Sequence, residues 1–511
     1  MLITEQKKQF SDILEEFGKT LDISQEQHDK AVASYEFVGN HLSSEDSPLA
    51  KYNPQILPQG SFLLNTMIKP VNEGDELDVD LVCRLEGKQT NWTQYDLKMI
   101  VGDRLKDHGI IKPLVIIPDS RRCWRLDYKS AFHMDVLPCI VSSDYKTILE
   151  KAMSEVALKD FNAIAIRITD NIETIYETST NPDEWQKSNP FGYGIWFEQR
   201  ASLLMQKSVM MSESVQPVPK FQKNKLPLQR VVQILKRHRD IMFGGDEDKP
   251  ISIIITTLAS HSYQKQTNIV EALLSVIDRM HLFITEKYSV KYSRTIKWVE
   301  NPVNTVENFA DKWAENKTKQ DNFYDWLEKL KEDFSYLKTK SISENYEILK
   351  ASFGTIGINE AFRNSGLVEV IAKSAAYPTA FSPALLSVPH RRQPEWQMRL
   401  SKYVEVHGRY KFGNRWKSVS STTKIPKGCE ILFGATTNAP KPFEVYWQVV
   451  NTGDEARGNL RGGIFHSKTY GVGGLSQKET TQYKGTHWIE CFIVKDGICI
   501  ARSSEFFVNV E

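Results

Sequence analysis

The stretch LDVDLVCRL, residues 77–85, alternates leucine and valine with Asp78 and Asp80. This period of two predicts a half-buried β-strand. Successive side chains of a strand point to opposite faces, so both carboxylates lie on one face and the apolar residues face the core. Because two like charges side by side are costly without a cation, the pattern indicates a place where a cation binds.

Two further features accompany this strand. Asp135 interrupts a second strand-like run, SAFHMDVLPCIV at residues 130–141, from which its carboxylate can reach the same cations. The turn Gly60-Ser61 in QGSFLLNT precedes the aspartate strand by one short helix and suits a phosphate. Each feature alone fits an ordinary surface position. Together, and in this order, they are what two-metal nucleotidyl transfer requires, because phosphoryl transfer depends mainly on positioning and metal charge.

The length of 511 residues exceeds what one hydrophobic core usually supports, so we expect several domains. The hydrophobic periodicity predicts an α+β fold with a separate all-β, sandwich-like C-terminal domain. The predicted units are a catalytic domain with an amino-terminal helix at 1–215, a helical lobe at 216–385 that completes the cleft, a linker at 386–395, and the β domain at 396–511.

Composition excludes several classes of protein. Lys plus Arg (65) and Asp plus Glu (64) nearly cancel, which argues against a long basic groove for nucleic acid. The six cysteines form no CxxC pair, so we expect reduced core residues and no zinc site. The start carries charges throughout, and no apolar run is long enough to span a membrane, so we expect a cytoplasmic protein without a membrane partner.

The motifs QGSFLLNT, ELDVDLV and FHMDVLP resemble those of the bacterial cyclic-oligonucleotide synthases, which are related to the animal DNA sensor cyclic GMP-AMP synthase and to oligoadenylate synthase. The resemblance covers about residues 3–385 and extends to SNPFGYGIWFEQR, KLPLQRVVQILKRHRD and NPVNTVENFADKW. It implies a polymerase-β-like nucleotidyltransferase palm followed by a helical lobe.

By this resemblance, Asp78 and Asp80 would hold two Mg²⁺ or Mn²⁺ ions. Asp135 would complete the shell of the catalytic ion and help to activate the attacking hydroxyl. Gly60 and Ser61 would seat the donor nucleoside triphosphate. The three carboxylates are specific to the polymerase-β-like superfamily, but not to one product.

Several basic and aromatic residues are weaker candidates. Lys225, Lys236 and Arg239, in and before the basic helix that follows Leu226, are candidates for phosphate contacts, and a solvated helix face is an equal alternative. Tyr193 and Trp196 could stack on a base, although core packing is the expected role of such aromatic residues. The dispersed histidines are expected to be structural.

The C-terminal β region resembles the sensor domain that is often fused to adenylyl or guanylyl cyclases and to these synthases. The resemblance rests on VYWQVVNTGDEAR, LRGG and GTHWIECFIVKDG. It implies a regulatory ligand, for which Arg461, Tyr483 and Trp488 could form a pocket. The alternative is that the aromatic residues fill a sandwich core.

The leading hypothesis is an enzyme that joins nucleoside triphosphates into a short cyclic or linear nucleotide second messenger in bacterial antiphage defence. A separate effector protein would read the product. The alternatives are a template-independent polymerase that makes or tails (deoxy)oligonucleotides, and a non-catalytic nucleotide-binding sensor. The residues leave the base, the sugar and the linkage open.

Overall fold

The computed structural model describes residues 4–511 except 72–76, 118–119, 129–131, 142–163, 204–214, 216–217, 244–245, 339, 369, 371–387, 414, 420–422 and 468–474. Within this part, no helix is long and apolar enough to cross a bilayer. All six cysteines are free thiols, and four of them are buried, as expected for reduced core residues.

The first part of the chain combines helices with one mixed sheet. Its elements are α1 (Thr4–Leu21), α2 (Gln25–Ser43), β1 (Gln55–Gln59), α3 (Gly60–Leu63), β2 (Leu77–Glu86), α4 (Gln94–Asp107), β3 (Trp124–Asp127), β4 (Phe132–Val141), β5 (Ile166–Ile168), β6 (Lys187–Ser188) and α5 (Pro190–Ala201). The strand order is β1-β2-β4-β5-β6, with β3 also paired to β4. Strands β2 and β4 are parallel, and the other pairs are antiparallel.

One face of this sheet is covered by α2 and α4, whose apolar side chains form a common core with the inward residues of β2 and β4. Along β2, Leu77, Val79 and Leu81 are buried, as the alternation predicts. The opposite face carries the aspartates. Helix α4 begins after Thr93 because the hydroxyl of Thr93 accepts a hydrogen bond from Asp96 N at 3.4 Å, and the carboxylate of Asp96 accepts one from Thr93 N in return.

The amino-terminal helix expected from the sequence is not a single helix. It divides into α1 and α2 because Ser24 and Gln27 form a capping box that starts a new helix. Helix α1 packs into the core of the helical lobe and not against the sheet. The boundary at residue 215 stays a prediction. Helix α1 precedes this boundary in sequence but packs with the helical lobe that follows it.

The helical lobe also contains short hairpins that the sequence analysis did not anticipate. Its helices are α6 (Pro227–Phe243), α7 (Ser252–Ser262), α8 (Ile269–Arg279), α9 (Lys312–Glu315), α10 (Lys317–Ser335), α11 (Ile342–Phe353) and α12 (Thr355–Asn364). Its strands are β7 (Thr285–Ser289), β8 (Arg294–Trp298), β9 (Glu300–Asn301) and β10 (Asn304–Asn308). They form the antiparallel pairs β7-β8 and β9-β10.

The C-terminal region is a two-sheet β-sandwich, as predicted. Its strands are β11 (Gln397–Met398), β12 (Val404–Phe412), β13 (Arg415–Ser418), β14 (Lys424–Ile425), β15 (Glu430–Thr437), β16 (Glu444–Val450), β17 (Ile464–His466), β18 (Ser476–Thr480), β19 (Gly485–Lys495), β20 (Ile498–Arg502) and β21 (Phe506–Val510). One sheet has the order β13-β12-β15-β18, and the other contains β11-β20-β19-β16-β17 with β21 beside β19. Their facing side chains form one core.

The segment expected to be a linker is attached to this sandwich where the structure describes it, at 388–395; residues 386–387 lie outside the described part. His390 Nε2 lies 2.9 Å from Asn451 O. The guanidinium of Arg391 forms ion pairs with Glu490, which is fully buried, and with Glu505. Arg391 therefore places a positive charge beside the buried carboxylate of Glu490, and the boundaries of the linker stay a prediction.

The sandwich also contacts the helical lobe directly. Arg409 on β12 is 4% exposed and forms an ion pair with Asp246, which lies just beyond the end of α6. Its guanidinium lies 4.9 Å from the ring centroid of Phe243, within α6. On the other side of the contact, Thr355 Oγ1 donates a hydrogen bond of 2.9 Å to Glu405. These contacts join β12 to the end of α6 and to the start of α12.

Candidate active site

Neighbouring strands bring the three predicted aspartates to one face of the sheet. In the parallel pair β2-β4, Asp80 lies opposite Asp135 and Asp78 lies opposite His133. The side chain of Asp78 is exposed, while Asp80 and Asp135 are half-buried. The sequence indicated the shared face of Asp78 and Asp80. The register between β2 and β4 adds Asp135 to that face.

The third carboxylate already has a partner. Arg125 lies opposite Asp135 in the antiparallel pair β3-β4. Its Nε and a terminal guanidinium nitrogen each donate a 2.7 Å hydrogen bond, one to each carboxylate oxygen. This two-point contact is the strongest geometry that an arginine and a carboxylate form. It fixes the orientation of Asp135.

Among the described residues, neither Asp78 nor Asp80 has such a contact, and the pKa of each carboxylate is raised. Burial raises the pKa of Asp80 to about 7, and the charges of Asp78 and Asp135 add to the rise. Although the side chain of Asp78 reaches solvent, loss of hydration beside the surrounding protein also raises its pKa; Arg125 opposes this rise and Asp135 adds to it. The three acids therefore crowd more negative charge into this face than nearby cations neutralise.

Gly60 lies against this cluster. The antiparallel register of β1 and β2 places Gln59 opposite Asp80, so the next residue reaches the aspartate. Gly60 has φ of +61°, and a Cβ atom there would lie 2.3 Å from Oδ2 of Asp80. Only glycine meets both requirements. Ser61 follows at the start of α3, and its carbonyl accepts a 3.1 Å hydrogen bond from Thr66 N.

Lys236 approaches the cluster from the helical lobe. Its ammonium donates hydrogen bonds to the carbonyl of Thr66 at 3.0 Å and to its hydroxyl at 3.3 Å. The side chain is 4% exposed, and burial lowers the pKa of Lys236 to about 7, with Arg239 lowering it further and Asp80 opposing the shift. Lys236 therefore ties α6 to the loop that follows Gly60 and Ser61.

The structure does not bring the other two basic candidates to the carboxylates. Lys225 lies 3.8 Å from Asp22, and both side chains are largely buried. Arg239 donates to the carbonyl of Pro250 at 3.0 Å and to Ser252 Oγ at 2.9 Å. These contacts hold the chain around α6 together.

The three carboxylates are suitable ligands for divalent cations, but their side chains are not arranged around a common point. Three carboxylates on one face supply the oxygen ligands that Mg²⁺ prefers. In the part of the chain that the structure describes, however, no three His, Cys, Asp or Glu side chains already stand close enough together to hold a metal ion. Both oxygens of Asp135 accept hydrogen bonds from the guanidinium of Arg125 instead.

The two aromatic candidates and His238 have structural contacts. Tyr193 is buried in the helical core, and its hydroxyl lies 2.8 Å from Thr257 Oγ1. Trp196 packs beside Tyr193 with ring centroids 5.3 Å apart. His238 Nε2 lies 3.0 Å from the buried Asp333. Core packing therefore describes the aromatic pair, as the sequence analysis favoured.

The sandwich contains a separate open cleft, whose volume of about 550 Å³ includes the solvent at its entrance. Arg461, Tyr483 and Trp488 all line it, together with apolar residues of both sheets. Arg461 forms a salt bridge with Glu479, with a shortest N–O distance of 2.6 Å. Trp488 is 1% exposed, so it is a core residue, as one interpretation of the sequence held. It also borders a cleft with a charged rim, as the pocket interpretation held.

The sequence analysis did not single out Arg125 or Thr66. Arg125 had a signal, because it lies in the alternating run WRLD at residues 124–127, directly before the strand of Asp135. Thr66 had none that we can identify. Its role follows from Lys236, which is 170 residues away in sequence.

A mixed sheet whose parallel neighbours carry three carboxylates beside a glycine turn, covered by a helical lobe, defines the nucleotidyltransferase class. The comparisons with known proteins agree. Residues 54–138 match the family described as cyclic GMP-AMP synthase DncV-like, nucleotidyltransferase domain. Residues 386–511 match the adenylyl/guanylyl and SMODS C-terminal sensor domain.

Relatives and a solved structure cover most of the chain. The c-di-GMP synthase of Roseivirga ehrenbergii is 29% identical over 364 residues, 69% of this chain and 87% of that protein. The cyclic dinucleotide synthase CdnG of Bradyrhizobium diazoefficiens is 22% identical over 362 residues, 67% of this chain and 80% of that protein.

The structure of the CD-NTase CdnG from Bradyrhizobium diazoefficiens in complex with GTP matches with a TM-score of 0.52 at 20% identity, covering 69% of this chain and 97% of that one. This likeness confirms the α+β fold of palm and helical lobe. The resemblance that the motifs suggested is also confirmed: the chain is a nucleotidyltransferase, and its C-terminal region matches the sensor-domain family.

Proposed function

We propose that this nucleotidyltransferase joins nucleoside triphosphates into a cyclic dinucleotide second messenger. The observation that carries the proposal is the register that sets Asp80 beside Asp135, with Asp78 on the same face and Gly60 against Asp80. The names of the two relatives, a c-di-GMP synthase and a cyclic dinucleotide synthase, support a cyclic product.

Two Mg²⁺ or Mn²⁺ ions, held by Asp78 and Asp80 with Asp135 completing one shell, would neutralise the charge of the reacting phosphates. Gly60 and Ser61 would seat the donor triphosphate, since the absent side chain at 60 lets phosphate and backbone approach closely. Asp135 would accept the hydrogen of the attacking ribose hydroxyl through a carboxylate oxygen. The hydroxyl oxygen then bonds to the α-phosphorus, and the bond to the bridging oxygen breaks to release diphosphate.

The surroundings of the site would exclude water and set its geometry. Lys236 fixes the Thr66 end of the loop that follows Ser61, and its buried charge lies near the cluster. Because that loop would also carry the donor phosphates, α6 would position the substrate through the contact of Lys236 with Thr66. A second reaction of the same kind, with the roles of the nucleotides exchanged, would close the ring.

The sensor domain would regulate this reaction. A ligand in the cleft beside Arg461 and Tyr483 would act on β15 and β18, which line it. Strand β15 pairs with β12, and β12 carries Arg409, which contacts the end of α6. The proposed role is antiphage signalling in the bacterial cytoplasm, with a separate effector protein as the reader of the product.

The test is incubation of the purified protein with each ribo- and deoxyribonucleoside triphosphate, singly and in pairs, with Mg²⁺ or Mn²⁺, and detection of products by mass spectrometry. Short phosphatase-resistant products that disappear in an Asp78→Asn, Asp80→Asn double variant support the proposal. The control is Asp183→Asn, which alters an exposed aspartate paired with Arg167 elsewhere on the palm.

Other outcomes contradict the proposal in different ways. A ladder of long chains would assign a template-independent polymerase. Nucleotide binding by calorimetry without any product, at every nucleotide combination and after addition of candidate sensor ligands, would assign a non-catalytic sensor.

A further inference from the structure

Arg125 places a positive charge directly on Asp135, one of the carboxylates that would hold a cation. Its guanidinium engages both oxygens of Asp135 at 2.7 Å, and its charge also lowers the pKa of Asp78 and Asp80. Lys236 acts on the same cluster only at longer range, because its hydrogen bonds go to Thr66. Among the described residues, Arg125 is therefore the basic side chain that contacts one of these aspartates, Asp135, directly.

This contact conflicts with a metal-loaded site. Each oxygen of Asp135 already accepts a hydrogen bond from the guanidinium, whose positive charge also repels a cation, so Asp135 should bind an ion shared with the neighbouring strand more weakly while this contact lasts. The backbone cannot relieve the conflict, since Arg125 and Asp135 are paired residues of β3 and β4, and Asp135 and Asp80 are paired residues of β4 and β2. The change must therefore occur in the side chains.

The Arg125 side chain has the freedom to make that change. It is 36% exposed, so it reaches solvent on the open side of the sheet. A planar guanidinium binds a phosphate through the same two-point geometry as a carboxylate. The exchange of one partner for the other would keep both hydrogen bonds and leave no buried charge alone.

We propose that Arg125 is an exchange residue, which holds Asp135 in the nucleotide-free enzyme and passes to a phosphate of the incoming nucleoside triphosphate when Asp135 turns to the cation. The inference rests on the proposed function and adds a positioning residue to it. In the free enzyme, Arg125 keeps the cation site incomplete. In the substrate complex, Arg125 binds a phosphate instead. Cation and nucleotide then bind cooperatively, because the nucleotide draws Arg125 away from Asp135 and the cation takes its place on the carboxylate.

Calorimetric titration of Mn²⁺ into the full-length, nucleotide-free protein tests the first step without any catalytic readout. We expect Arg125→Gln and Arg125→Lys to bind Mn²⁺ about fivefold more tightly than the unaltered protein, the gain expected when a half-exposed ion pair no longer competes. Lysine keeps the charge but loses the two-point contact, so it separates geometry from net charge.

The matched control is Arg122→Gln. Arg122 is equally exposed and donates to Asp170 and Gln186 instead of to the aspartate cluster, so its loss removes a nearby charge without freeing Asp135. We expect its Mn²⁺ affinity to stay within about twofold of the unaltered protein. Equal gains in Arg122→Gln and Arg125→Gln would reduce the effect to net charge, and weaker Mn²⁺ binding in Arg125→Gln would show that Arg125 orients Asp135 for the ion. Either result overturns the proposal.

A second titration tests the other half of the exchange. With saturating Mn²⁺, we expect a non-hydrolysable nucleoside triphosphate to bind about tenfold more weakly to Arg125→Gln, since a charge-assisted contact to phosphate is lost. Unchanged nucleotide affinity would contradict this step. Mn²⁺ binding that persists in the Asp78→Asn, Asp80→Asn variant would instead refute the metal site of the proposed function. Melting curves confirm that each variant is folded.

Discussion

Gly60 and Asp80 approach each other so closely that a Cβ atom at position 60 would lie 2.3 Å from Oδ2 of the aspartate. The contact joins the loop that would hold the donor phosphates to a carboxylate that would hold the cations. Any side chain at position 60 must displace one of these two groups, so loop and carboxylate form one unit.

The first prediction concerns Gly60→Ala. We expect the rate of product formation to fall by at least roughly a hundredfold, because displacement of Asp80 by about an ångström disturbs both cation and phosphate. The control is Gly87→Ala, at a glycine that also has positive φ, +80°, but has no atom within 4 Å of the added Cβ. Both changes strain the backbone, so equal loss of activity in the two would contradict a specific role for the Gly60–Asp80 contact.

The second prediction concerns pH. The pKa of Asp80 is raised to about 7 in the folded protein, so the folded state holds a proton that the unfolded state releases near pH 4. Asp80 therefore reduces the stability of the metal-free protein as pH rises from about 4 to about 7. We expect Asp80→Asn to raise the melting temperature above pH 7 by roughly 2–4 °C. Scanning calorimetry with a chelator measures it.

A bound cation would oppose this effect. Because it would bind the ionised carboxylate, we expect its affinity for the unaltered protein to increase as pH rises toward about 7 and then to level off. Mn²⁺ titrations at several pH values check this. An affinity that does not change between pH 5.5 and about 8 would mean that Asp80 is already ionised in the metal-free site.

The third prediction separates activity from stability at Lys236. Its pKa is lowered to about 7, so the charged form costs stability at neutral pH, and this cost disappears as pH rises from 7 toward the unfolded value near 10. We expect Lys236→Met to lower activity at least roughly tenfold through the lost contacts to Thr66, with a melting temperature that is not reduced at pH 7. A parallel loss of folding and activity would make Lys236 an ordinary structural residue.

The fourth prediction concerns the contact between sensor domain and helical lobe. Arg409→Gln removes the ion pair with Asp246 and the contact with Phe243. We expect two separate unfolding transitions where the unaltered protein has one, and a change in basal activity, because the end of α6 loses its support. Arg457→Gln, which alters an exposed ion pair inside the sandwich, should change neither. An unaltered calorimetric profile in Arg409→Gln would contradict mechanical coupling through this contact.

Local patterns in the sequence were enough to predict the strand of Asp78 and Asp80, the second strand with Asp135, and the β-rich C-terminal region. Each depends on side-chain alternation or turn spacing over about ten residues, which the chain carries within itself. The hairpins at 285–308 were missed because their short strands are mostly polar, and a period of two needs buried apolar residues to be visible. The end of α1 was missed because a capping box interrupted an otherwise continuous helical pattern.

The sequence by itself determined that three carboxylates and a glycine turn are available for metal-assisted nucleotidyl transfer, since strand alternation sets the face of each residue. Only the tertiary structure decided how these groups meet. The parallel register places Asp80 beside Asp135, the antiparallel register assigns Asp135 to Arg125, and helix packing sends Lys236 to Thr66. These are contacts between distant parts of the chain, and they depend on which strands and helices become neighbours, which no local period encodes.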